Sequence, residues 1–124
     1  MTRLCVPAEP AYARVVRMCA ASLAAMADLS LDDVEDVRMA AEEAFVYACA
    51  TGVSGTLRVE FSIGPDGLAM DFELGEQPVT EDDREPALVY AAFILEAMCD
   101  ECVIGDAPDG RMHLYKGIGG EDAR

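Results

Sequence analysis

The sequence predicts a two-layer α/β (α+β) sandwich, in which a mostly antiparallel sheet is covered on one face by three helices in the order β-α-α-β-β-α-β-β. Two observations predict it. The apolar residues recur at helical steps up to Gly52 and then, after Gly55, alternate with a period of two. Strong turn signals separate the alternating runs, so the strands come in hairpins.

Met1 to Pro7 is apolar at Leu4 and Val6 and reads as an edge strand stopped by Pro7. Pro10 opens a helix that runs through Met26, with Tyr12, Val15, Val16, Cys19, Leu23 and Met26 as its apolar stripe and Arg14 and Arg17 off it. The second helix, from Ser30 to Gly52, has the clearest ends. Ser30 can cap it, Asp33 stands where a capping-box side chain would be, and Asp32, Asp33, Glu35 and Asp36 favour its positive end. Val34, Val37, Ala41, Ala44, Phe45 and Ala48 give it one apolar face.

Leu57, Val59, Phe61 and Ile63 then alternate with polar residues. Gly64-Pro65-Asp66-Gly67 turns the chain, and Leu68, Met70, Phe72 and Leu74 alternate again. Gly75 to Pro86 is an acidic loop of functional length. Pro86 starts a third helix with Leu88, Ala91, Ala92, Leu95 and Met98 as its stripe. Cys102 to Ile104 and a last strand marked by Met112, Leu114 and Ile118 flank a Pro108-Asp109-Gly110 turn. One domain over residues 1–118 and a polar tail over 119–124 are expected.

Composition narrows the function. The 124 residues carry a formal net charge of −15, with only nine Lys and Arg. Direct binding to nucleic acid or to an anionic membrane, which needs clustered cations, is therefore not expected. Hydrophobic residues make up 52% and the mean hydropathy is +0.16, ample for a core. The start of the chain has no apolar export signal, and no run is long enough to cross a bilayer. Five cysteines without framework spacing fit a reducing cytoplasm.

Local motifs offer little chemistry. Cys99-Asp100-Glu101-Cys102 is a CxxC at a helix exit, where two intervening acids raise thiol pKa values. It lacks a second ligand pair for zinc. Glu42 and Glu43, adjacent on a helix, point about 100° apart and do not form a catalytic pair. His113 is expected to face outward from a strand, and with one histidine no Ser-His-Asp arrangement can be built.

The order of elements, with RLCVPAEPAYARVVRMC, DDVEDVRMAAEEAFVYACATG and MCDECVIGDAPDGRMHLYKGI at its start, centre and end, resembles the histidine-kinase-like ATPase fold. More narrowly, it is similar to the small anti-sigma-factor serine/threonine kinases. The resemblance implies an ATP site on the second helix, and there the residues depart from the family. Glu43 stands where the family has a Glu that assists attack, but Tyr47 takes the place of the Asn that helps hold Mg²⁺. Tyr is a poor ligand for a hard cation. Thr51 occupies the polar position one turn on, and Leu74 falls where an Asp would read the adenine amino group. Val89 and Ala91 replace a Gly-x-Gly pair that lets backbone N–H groups reach phosphate. Losing the adenine contact and a charge-assisted contact removes roughly 3–6 kcal/mol, or two to four decades of affinity.

The resemblance thus implies an anti-sigma-factor-like regulatory protein that binds a sigma factor or an antagonist protein as a homodimer. No cofactor is expected, and Glu43 is the one catalytic candidate. The alternatives are an active serine/threonine kinase using ATP and magnesium, and a small-molecule sensor whose vacated pocket lies near Tyr47 and Phe93.

Overall fold

The computed structural model of the chain describes residues 1–75, 91–105 and 110–118. Its elements are β1 (Thr2–Pro7), a 3-10 turn (Pro10–Tyr12), α1 (Ala13–Met26), α2 (Leu31–Ala50), β2 (Thr56–Gly64), β3 (Gly67–Glu73), α3 (Ala91–Met98), β4 (Glu101–Ile104) and β5 (Arg111–Gly117). The five strands form one sheet in the order β1-β2-β3-β5-β4, with every neighbouring pair antiparallel. Among the described residues the fold is thus the expected α+β sandwich with the expected order of elements. None of the described helices is long and apolar enough to cross a membrane.

Register follows from the alternation. Val59 faces Phe72 and Phe61 faces Met70 across β2 and β3, while Met70 and Phe72 face Leu114 and Met112 of β5. All six side chains are buried under the helices. A one-residue slip would turn this whole set to water, which pins the pairing. Ile63 and Ile118, expected in the same rows, are exposed at 43% and 36% because they lie at or beyond the strand ends.

Helix α2 lies between α1 and α3 and against β3 and β5. Ser30 caps it, its Oγ accepting the Asp33 N–H at 3.1 Å. Ala40, Ala41, Ala44 and Ala48 are fully buried beside Val37 and Phe45. Such small side chains let neighbouring backbones approach, and Phe45 fills the remaining volume. Truncating a phenylalanine so enclosed costs about 3–5 kcal/mol.

The stripe of α1 differs from the expectation. Ala13, Val16, Ala20, Leu23 and Ala24 are buried, whereas Tyr12, Val15 and Met26 are exposed. The large apolar side chains misled the reading, because α1 meets the alanine-rich α2 along its own alanines. The helix ends in a Schellman turn: Asp28 N–H bonds Ala25 O, Leu29 N–H reaches back to Ala24 O, and Leu29 is buried. Asp28 takes the left-handed conformation there, φ 64°, which Asp tolerates better than most residues.

One charged contact ties the layers together. Lys116 of β5 points to the helix side, and its ammonium donates to Asp36 at 3.2 Å and to the Met98 carbonyl at the end of α3 at 2.8 Å, with Asp33 at 3.5 Å. Burial alone would lower its pKa, but the bond to Asp36 and the charges of Asp36, Asp33 and Asp100 outweigh it and hold the ammonium above its ordinary 10.5. The raised folded pKa means that this stabilisation is complete below 10.5 and is lost as pH climbs through the folded value. Urea unfolding across this alkaline range should therefore show wild type losing stability faster than Lys116→Met, with the gap between them closing.

Candidate functional site

The sheet exposes one face to solvent and packs the other on the helices, so two surfaces are available to a ligand. On the open face several charged side chains pair with one another. Glu60 accepts from Arg3 at 3.1 Å and from Arg111 at 3.2 Å, and Asp71 lies 2.8 Å from His113 Nδ1. His113 is on the outward face as expected, half-buried and paired. Arg58, Glu60, Asp71, Glu73, Leu74, Gly110 and Arg111 surround a shallow hollow of about 230 Å³ there. Glu60, Asp71 and Glu73 thus each already hold a hydrogen-bond donor of the protein's own, Glu73 the Arg58 backbone N–H at 3.1 Å.

The second surface is the seam between the C-terminal turns of α2 and the exit of β3. Four positions singled out by the sequence lie on these two elements or at their ends. Glu43 is half-buried, and its carboxyl is raised above 4.5, first by burial and then by the adjacent Glu42. Glu42 itself turns toward α1, where it accepts from Arg17 at 2.7 Å. The two carboxylates thus point to different places, although Glu43 still feels the charge of Glu42. Tyr47, one turn beyond Glu43, is half-buried and packs against the core.

Thr51 ends α2 and is almost fully buried. Its hydroxyl donates to Ala48 O at 2.6 Å, and the same oxygen accepts the Gly75 N–H at 2.6 Å. Gly52 follows with φ 82°, the left-handed turn that releases the chain from the helix. Gly75 is pressed so closely onto this turn that an added Cβ would overlap the Thr51 carbonyl oxygen. Leu74 continues the inward row of Met70 and Phe72, packs on the core, and donates its N–H to Gly110 O at 2.6 Å. The exit of β3 is therefore latched to α2 by backbone and by one buried hydroxyl.

Val89 and most of the loop from Gly75 to Pro86 lie outside the described residues, as do Leu88 and the tail over 119–124. Ala91 opens α3, with only its backbone described. Phe93 is 67% exposed and faces away from the core that Leu95 enters. Cys99 is buried and Cys102 half-buried, and burial first, then Cys102, pushes the Cys99 thiol up to about 12. A thiol held there is a poor nucleophile. Among the described residues no three His, Cys, Asp or Glu side chains converge as a metal cage.

A five-stranded antiparallel sheet under helices, with a long central helix whose C-terminal turns and a β3-exit glycine form one seam, defines an α+β sandwich domain. The family model described as histidine kinase-like ATPase domain matches residues 6–112. The chain belongs to this histidine kinase-like ATPase family. No curated protein matches it.

The sequence had marked Thr51 as a polar position but had missed its bond to Gly75, which joins residues 24 apart in the chain. Thr51→Val would remove the acceptor from the Gly75 N–H and should cost about 1–3 kcal/mol. Thr51→Ser, which keeps the hydroxyl, should cost well under half as much. Urea denaturation of the two variants checks the latch, and equal losses would contradict it.

Proposed function

We propose that the chain is a regulatory member of the histidine kinase-like ATPase family that acts by binding another protein and no longer uses ATP. The observation that carries this reading is the seam between α2 and β3, occupied by the protein's own groups. Tyr47 and Leu74 pack on the core, and Thr51 and Gly75 bond to each other. A magnesium nucleotide fits these residues badly. A hard cation wants carboxylate, carbonyl or water oxygens, and Tyr47 supplies a phenol. Adenine recognition wants an acceptor where Leu74 offers a methyl-bearing side chain. For the third reading, a small-molecule sensor, the described seam offers Glu43 and the Tyr47 phenol, while the Thr51 hydroxyl is already bonded to Ala48 and Gly75.

The resemblance to anti-sigma-factor kinases points to a sigma factor or an antagonist protein as the partner and to the cytoplasm as the location. The charge of −15 is consistent with steering toward a basic surface on such a partner. The edge strand β1, or Val15 on the exposed side of α1, offers a surface for a homodimer.

One observation favours the active-kinase reading. The raised carboxyl of Glu43 moves toward the range useful for a general base, the role that reading needs. Nucleotide binding separates the two. Saturating a retained site a hundredfold above its Kd would stabilise the fold by about 2.7 kcal/mol, a melting shift of several degrees. The expected outcome with millimolar Mg-ATP is no shift, whether or not EDTA is added. A Mg-dependent rise of several degrees would overturn the proposal in favour of the kinase.

A further inference from the structure

The strongest feature outside the seam lies on the other side of α2. A groove of about 590 Å³ runs between α1 and α2, lined by Arg14, Arg17, Met18, Ala21, Ser22 and Arg38. Three of the nine basic residues in a chain of charge −15 thus converge on one place.

Intramolecular ion pairs use only part of their donor capacity. Arg14 is exposed in the first turn of α1, the positive end of the helix dipole, and that turn contains no acid. It has no carboxylate partner among the described residues. Arg38 bonds Glu35 through Nη2 at 2.5 Å, but its Nε–H is buried without an acceptor. Arg17 commits one nitrogen to Glu42, leaving its other donors to the groove. Between these cations Met18 is 61% exposed and Ala21 half-buried, an apolar floor with a basic rim.

We infer that this groove docks an acidic amphipathic segment of a partner protein, its carboxylates on Arg14 and Arg38 and an apolar side chain against Met18 and Ala21. Charge complementarity selects this occupant. A nucleic acid or a planar anionic membrane would spread its charge over the surrounding acidic surface and meet the full −15. A narrow segment meets only the groove, within a Debye length of about 8–10 Å. Guanidinium forks suit carboxylates in two-bond geometry. The assignment rests on the partner-binding reading and names the chemistry of one surface of that partner.

The test uses the full chain and a fluorescein-labelled synthetic helix with leucines on one face and glutamates beside them, compared with its glutamine counterpart by fluorescence anisotropy. The glutamate peptide should bind, and the glutamine peptide should bind at least about tenfold more weakly. Arg14→Glu should weaken the glutamate peptide by about tenfold while its melting temperature stays level or rises, since an acid suits that helix end. Arg14→Lys should fall between. Equal affinity for the two peptides, indifference to Arg14→Glu, or a stronger Arg14-dependent response to phosphatidylglycerol vesicles or inorganic phosphate would each overturn the inference. A native partner retained equally by wild type and by Arg14→Glu on a column would sink the groove while leaving the partner-binding reading standing. Loss of that reading would appear separately, as Mg-ATP binding.

Discussion

Helix α2 has to satisfy three neighbours at once: α1 on one side, α3 on the other and the sheet beneath. That constraint explains its composition. Alanines at positions 40, 41, 44 and 48 let the layers close, and Phe45 fills what the alanines leave. The 3-10 turn, α1, α3, β3 and β5 all pack against this helix. The inward rows of β3 and β5 pack under it while β2 meets α1, Lys116 reaches up to its acidic first turns, and Thr51 at its last turn holds the exit of β3.

The same constraint shapes the seam at the C-terminal end of α2. A helix end can be completed by a ligand or by the protein itself. Here the Thr51 hydroxyl bonds both Ala48 O and the Gly75 N–H, and Tyr47 and Leu74 add apolar packing on either side. Family membership is a statement about this architecture, and chemistry has to be argued from the site. The charge distribution follows a similar division. On the open sheet face Glu60 is paired with Arg3 and Arg111, while Arg14, Arg17 and Arg38 gather between α1 and α2.

Much of the fold was legible because its signals are local. Period-two alternation gave β2 and β3 with their register, and the Ser30 cap with its acidic first turn gave the start of α2. The α1 stripe was misread because Val15 and Met26 are larger than the alanines that form the seam. Contacts between distant residues were not legible. Nothing in the sequence pairs Lys116 with Asp36, 80 residues earlier, or brings Arg38 beside Arg14 across a helix interface. The Thr51–Gly75 bond is of the same kind, since it needs both a finished helix and a finished hairpin.

The most direct measurement is a ¹H–¹⁵N NMR titration of the labelled chain with Mg-ATP, following the Gly75 amide and the backbone of Tyr47 and Thr51. An amide already bonded to the Thr51 hydroxyl at 2.6 Å should keep its position and its exchange protection through millimolar nucleotide. Saturable shifts concentrated at Gly75, Thr51 and Tyr47 would show that the seam opens to a ligand, and would contradict the account.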